Sequence, residues 1–200
     1  MQKKSSASGL LAAAGALLFG AVLSASPVLA ATTPQPKIVI VDRAGIMRAS
    51  KVGQDIVRQI NAYTDQAEKE LKAKGVSLRA EGQALQRQLA ILAADVKARK
   101  VKEFEAKQGS LQAEAQKKQS LIQGGFIKAR QQVEQALGPI LQGIMVERGA
   151  NLMLDRNAVV LGAPGIDVTG LAVQRLNQKL PSVKVELVAP PPGFQQAPPQ

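Results

Sequence analysis

The 200-residue sequence contains no cysteine, no histidine and no tryptophan. Without thiols, no disulfide supports the fold, and this composition suits an oxidising compartment in which stray thiols are a liability. Without imidazole and thiolate groups, most zinc sites and the Ser-His and Cys-His nucleophilic sites are excluded. We also find no glycine-rich phosphate loop, no Ser-x-x-Lys motif and no acidic pair at metal-ligand spacing. The sequence therefore predicts a protein that is not an enzyme and that uses no cofactor or metal.

Aromatic residues are scarce, whereas basic residues are in excess. The chain has 26 Lys and Arg against 15 Asp and Glu, and its formal net charge is +11. Between Lys69 and Lys118 there are 12 basic and 6 acidic residues, so most of the net charge lies in the middle of the chain. Such a charge suits nucleic acid, anionic lipid or acidic polypeptides as partners. The lack of aromatic side chains on which bases could stack disfavours nucleic acid, while contact with a membrane surface stays open.

The first 30 residues have the features of an export signal. Lys3 and Lys4 form a positive N-terminal region, and the run of 15 residues from 9 to 23 is almost wholly apolar. This run is shorter than the roughly 20 residues that a membrane-spanning helix needs. Small residues at Val28-Leu29-Ala30 match the positions that a signal peptidase recognises. We predict cleavage of residues 1–30 after Ala30, with Ala31 as the second choice.

Residues 51–146 have the composition and the periodicity of long helices. They are rich in Gln, Ala, Lys, Glu and Leu, which lose little rotamer freedom in a helix. A first apolar stripe repeats every seven residues, as in a coiled coil, at Leu71, Leu78, Leu85 and Leu92. A second stripe follows steps of three and four at Ile122, Phe126, Ala129, Val133, Ile140 and Ile144.

We expect these two stripes to face each other in an antiparallel helical hairpin. A single helix of this length would extend roughly 150 Å, so a break is the more economical solution. The predicted break is Ala93-Ala94-Asp95, with the tip near residues 93–96 and Asp95 as the cap of the second helix. Each stripe is wide enough for one neighbour only, so the hairpin should project from the body of the protein like a tentacle.

Short β-branched segments flank the hairpin on both sides. We predict strands at 37–41, 151–155 and 158–161, then a helix that begins after Asp167 and ends at Pro181. Residues 182–188 alternate as a possible last strand, and the Pro/Gln-rich residues 189–200 are predicted to be disordered. The fold class is α+β, mainly α, with a small β body formed by residues 31–50 and 147–188. A core this small, with unpaired strand edges, is predicted to be completed by oligomerisation.

Four basic residues occur within six positions just beyond the predicted tip. They are Lys97, Arg99, Lys100 and Lys102, and successive helical residues turn by about 100°, so the cluster surrounds its helix. Part of the cluster must therefore face water, where it can attract acidic partners and raise their rate of association.

Residues unfavourable to a helix interrupt the second stripe. Gly124, Gly125 and Gly138 each cost about 1 kcal/mol relative to alanine, and Pro139 costs about 3 kcal/mol. We interpret these four residues as hinge candidates, with packing glycines or tolerated weak positions as the alternative. Asp42 and Asp155 each follow a predicted strand and are expected to act as turn or helix caps.

The order of these elements resembles the Skp/OmpH family of periplasmic chaperones. The resemblance rests on Lys-Ile-Val-Ile-Val-Asp at 37–42, the basic hairpin, and Leu-Met-Leu-Asp-Arg-Asn-Ala-Val-Val at 152–160, and it extends to about Leu180. It implies a homotrimer in which strands form a small barrel and three hairpins surround a cavity. It also implies that unfolded outer-membrane proteins are held there without ATP, in the periplasm and without catalytic residues. A structural coiled-coil scaffold of the cell envelope is the alternative.

Overall fold

The computed structural model describes residues 35–193. The predicted signal peptide, its cleavage site and the last part of the Pro/Gln-rich tail lie outside this range. The elements, in chain order, are β1 (Ile38–Val41), α1 (Arg43–Ala49), α2 (Lys51–Gln88), α3 (Ala94–Arg148), β2 (Leu152–Asp155), two 3-10 turns (Arg156–Ala158 and Pro164–Ile166) and α4 (Thr169–Lys179). None of the helices within 35–193 combines the length and the apolarity that crossing a membrane requires.

The two strands form a small parallel sheet at the root of the hairpin. Ile38 lies opposite Leu152 and Val41 opposite Asp155. Parallel neighbours need a long crossover connection, and here the whole hairpin of α2 and α3 supplies it. The backbone N–H of Val168 extends the sheet by donating to the Ile40 carbonyl over 2.9 Å. This arrangement confirms the predicted α+β, mainly α, fold class.

The hydrophobic core is confined to the same end of the molecule. It joins β1, α1, the start of α2, the last half of α3 and α4. Its largest fully buried apolar side chains are Ile46, Val52, Ile56, Val133, Ile144, Val168, Leu176 and Val185. Within the described chain, α2 has no buried residue after Ile56, and α3 has none before Gly124. Residues 64–123, which we call the hairpin arm, therefore have only a half-buried seam between the two helices.

Side-chain caps determine where the first helices begin. Asp42 caps α1, and its Oδ1 accepts from the Gly45 N–H over 2.6 Å. The sequence analysis did not predict α1 as a separate helix. It ends at the buried Ser50, whose extended backbone stops the helix and whose hydroxyl accepts from the Gly53 N–H to start α2. Asp155 caps the first 3-10 turn, so the cap roles predicted for Asp42 and Asp155 are confirmed.

The connection at the hairpin tip runs from residue 89 to residue 93. It joins an α2 of 38 residues to an α3 of 55 residues. The predicted capping role of Asp95 is wrong, because Ala93 occupies the N-cap position and no side chain bonds the first N–H groups. Asp95 lies in the first turn of α3, where its charge still interacts favourably with the positive end of the helix dipole.

Two predicted strands are absent from the described residues. Residues 158–161 begin in a 3-10 turn and then continue without regular structure, because no strand of this chain lies beside them. Residues 182–188 are extended, but they lie against helices. Helix interiors have no free main-chain groups with which a strand could form a ladder, so this segment is not part of the sheet.

Candidate interaction surfaces

Three lysine–glutamate pairs connect the two helices of the hairpin arm. Lys74 Nζ lies 2.6 Å from Glu114, Lys118 Nζ lies 2.7 Å from Glu70, and Lys107 pairs with Glu81. The hydrogen bond from Lys118 lowers the pKa of the Glu70 carboxyl below its ordinary value. Partly exposed pairs of this kind add little stability. Their positions along both helices favour one register of α2 against α3.

These pairs leave the arm with a large surplus of cations. Of the twelve basic residues between 69 and 118, only the three named above form an ion pair with another described residue. The other nine are Lys69, Lys72, Arg79, Arg87, Lys97, Arg99, Lys100, Lys102 and Lys117, and all except the half-buried Lys100 are exposed. The acidic residues that remain in this range are Asp95, Glu103 and Glu105. The arm therefore presents unneutralised positive charge to its surroundings.

The predicted basic cluster lies in the first turns of α3, directly after the tip connection. Lys97, Arg99 and Lys102 are exposed, and none of the four residues forms an ion pair within the described chain. The exposed Ile91 lies beside them in the tip connection. The end of the arm thus combines mobile cationic side chains with one apolar side chain.

A shallow groove of about 630 Å³ runs along the arm between α2 and α3. Glycines on α2 widen it, and a β-carbon at Gly82 would lie 2.8 Å from the ring of Phe104. Its lining alternates apolar and polar side chains, including Leu78, Leu85 and Gln108. Such a surface offers weak contacts without a deep apolar pocket.

A separate apolar surface lies on the body. Val160 is fully exposed, Leu161 is 91% exposed and Leu152 of β2 is also exposed. In the described chain β2 pairs with β1 only, so its other edge carries unpaired main-chain groups. Isolated two-stranded sheets are marginally stable, and open edges attract further strands. This surface is suited to contact with another copy of the chain.

The four hinge candidates occupy two different environments within a continuous α3. Gly138 and Pro139 are exposed, and a β-carbon at Gly138 would meet no atom. Gly124 and Gly125 are buried beneath residues 182–190, which we call the strap. A β-carbon at Gly124 would overlap the Val188 carbonyl oxygen. The structure thus provides a packing role for the Gly124-Gly125 pair, whereas a hinge at any of the four positions stays a prediction.

The sequence analysis missed the residues of α2 that hold the strap. These are Gln59 and Tyr63, whose side chains bond the strap's main chain. The available signal was the pairing of two adjacent glycines with an alternating Val-Lys-Val segment, because glycine often marks close approach of two backbones.

Comparison with known proteins decides the family. The model of the family described as Outer membrane protein (OmpH-like) matches residues 37–176. The chain belongs to this family. The predicted resemblance is therefore confirmed over both strands, the hairpin and most of α4.

A solved structure supports the same fold. An OmpH-like candidate outer membrane chaperone from Caulobacter crescentus CB15 superposes with a TM-score of 0.71 at 24% sequence identity, covering 76% of this chain and 90% of that protein. No curated protein sequence matches significantly. In this OmpH-like chain the strap lies beyond the residues that the family model matches. Within residues 35–193, acidic side chains do not gather in a group that could hold a metal ion.

Proposed function

We propose that this OmpH-like protein is an ATP-independent periplasmic holdase that binds unfolded outer-membrane proteins and prevents their aggregation. The observation that carries the proposal is the hairpin arm, which extends beyond the core and has no buried residue between 64 and 123. A segment that contributes so little to the core has its surface available for partners. The family match and the chaperone-like structural neighbour support the same role.

The chemistry of the arm suits a client without fixed structure. An unfolded membrane-barrel strand exposes alternating apolar residues that aggregate in water. Numerous weak contacts along a shallow groove shield such a chain without trapping it. The nine unpaired cations attract acidic clients over long range and raise the rate of encounter. They also suit transient contact with an anionic membrane surface.

The proposal includes assembly into a homotrimer. The exposed Val160 and Leu161 and the open edge of β2 form an apolar surface that a neighbouring subunit would cover. Several hairpin arms would then enclose a cavity, with the strands joined at its base. Export by the predicted signal peptide would place this assembly in the periplasm.

Aggregation measurements test the holdase function directly. We expect the mature protein, added without nucleotide, to keep a urea-denatured outer-membrane protein soluble when the urea is diluted. Light scattering should fall as the chaperone approaches one trimer per client. Undiminished scattering at a several-fold excess would overturn the proposal and favour a structural coiled-coil scaffold of the envelope, which would bind one folded partner instead.

Neutralising the tip cluster is expected to slow client capture. With Lys97, Arg99, Lys100 and Lys102 all replaced by Gln, association with an acidic unfolded client should slow about tenfold at low ionic strength. The difference should vanish near 1 M salt, where the Debye length is about 3 Å. Stopped-flow fluorescence across a salt series measures both effects.

A matched control separates the position of the charge from its amount. Replacing Lys69, Lys72, Arg79 and Lys117 by Gln removes the same four exposed, unpaired charges from the arm away from the tip. We expect this control to associate faster than the tip variant. Equal rates in the two variants would show that only the net charge of the arm matters.

A further inference from the structure

The main chain of the strap is bonded by two side chains that lie one turn apart on α2. The Gln59 amide donates from Nε2 to the Val183 carbonyl over 2.7 Å, and its Oε1 accepts from the Val185 N–H over 2.9 Å. The Tyr63 hydroxyl donates to the Val185 carbonyl over 3.2 Å. Four helical residues rise about 6 Å, close to the roughly 6.6 Å that two extended residues span. The helix face therefore matches the repeat of an extended peptide.

The opposite wall of this groove is the main chain of α3. Gly124 and Gly125 allow the strap backbone to lie directly on the helix, and a β-carbon at Gly125 would be 2.6 Å from the Glu186 carbonyl oxygen. Only glycine permits this approach without displacement of the strap. Both walls of the groove thus contact groups that every peptide carries, apart from the missing N–H of proline.

The side chains of the strap show which sequences fit. Val183 is 8% exposed and Val185 is 1% exposed, and both belong to the core cluster at the root of the hairpin. Lys184 and Glu186 point outward, and Glu186 pairs with Lys128 over 2.6 Å in a partly exposed ion pair. The groove therefore selects two apolar side chains at alternating positions, the pattern of a half-buried strand.

We propose that this groove is a binding site for an extended peptide and that the strap occupies it as an internal ligand. The site is formed by Gln59, Tyr63, Gly124 and Gly125, and its ligand class is an extended segment with apolar residues at positions i and i+2. The strap is joined directly to α4, so it has a high effective concentration and a free peptide must compete with it. This inference does not rest on the holdase function.

Releasing the strap in the full-length protein tests the proposal. In the Val183→Asp, Val185→Asp variant, burial of two charges becomes unfavourable and the strap should leave the groove. The probe is a fluorescein-labelled peptide with the sequence of residues 182–189. Fluorescence anisotropy should show at least tenfold tighter binding to this variant than to the wild type. A labelled peptide with Asp at both valine positions is the matched control and should bind neither protein.

Two further measurements show whether the peptide occupies the groove itself. Adding Gln59→Leu to the released variant should weaken peptide binding about tenfold, because two main-chain hydrogen bonds are lost. Tyr63 is the sole tyrosine in a chain without tryptophan. Its fluorescence should therefore change when the strap is released and return towards the wild-type value when the peptide binds. Equal affinity for the released and wild-type proteins would overturn the proposal.

The proposal is also testable in the wild-type protein, in case the double variant does not fold. The Val185 N–H is bonded in the strapped state and should exchange slowly with solvent. A large excess of the unlabelled 182–189 peptide should accelerate this exchange by displacing the strap, while the peptide with two Asp residues should not. An exchange rate that does not respond to the first peptide would contradict a displaceable internal ligand.

Discussion

Replacing Val160 and Leu161 by Asp is expected to convert the assembled protein into monomers. Both side chains are almost completely exposed in the single chain, beside the open edge of β2. In an oligomer that covers this surface, the variant would bury two charges per subunit without partners, at a cost of several kcal/mol. Native mass spectrometry should therefore change from the mass of three subunits to that of one. The thermal midpoint of the wild type should also rise with protein concentration, since folding and assembly are linked.

Exposed apolar residues on the hairpin provide the control for this experiment. Val76 lies in the arm and Ile91 in the tip connection, and both are largely exposed. Val76→Asp and Ile91→Asp should leave the oligomeric mass unchanged. If the body variant also kept the three-subunit mass, Val160 and Leu161 would not belong to the interface.

Alanine substitutions at two glycines of the same helix are expected to have opposite effects on stability. At Gly125 the new β-carbon would meet the strap backbone, so Gly125→Ala should lower the free energy of unfolding by about 1–3 kcal/mol. At the exposed Gly138 nothing lies in the way, so Gly138→Ala should raise it by about 0.5–1 kcal/mol. Urea denaturation at one fixed protein concentration compares both variants with the wild type.

Client binding by a related variant distinguishes packing from a hinge. If Gly124 and Gly125 form a hinge, the Gly124→Ala, Gly125→Ala variant should lose affinity for the largest clients first. If they serve to seat the strap, affinity for large and small clients should change equally. A stability gain for Gly125→Ala would contradict the packing role.

The hairpin was predictable because its signals are local. The leucines from Leu71 to Leu92 repeat with a coiled-coil period, and the residues between them favour helix whatever surrounds them. The cap at Asp42 was predictable for the same reason, since its partner Gly45 is three residues away. The error at Asp95 is local too. The alanines before it were compatible with either a cap or a turn, and composition did not decide where α2 would end.

The strands were predictable only in part, because a strand depends on its neighbour. Residues 152–155 pair with β1 within the chain, whereas residues 158–161 have the same β-branched character and no strand beside them. The periodicity of residues 182–188 correctly indicated one buried face. It contained no information on whether that face would meet a sheet or two helices.

The sequence by itself determined the long helices, the basic surplus of the arm, the fold class and the resemblance to the family. Each depends on composition or on spacings of a few residues, which helix geometry converts directly into a face. The tertiary structure decided that the Gly124-Gly125 pair lies beneath the strap and that Gln59 and Tyr63 bond its main chain. Those contacts join α2, α3 and the C-terminal segment, which are far apart in the chain. The close approach of two backbones depends on how whole elements pack, and no local pattern specifies that packing.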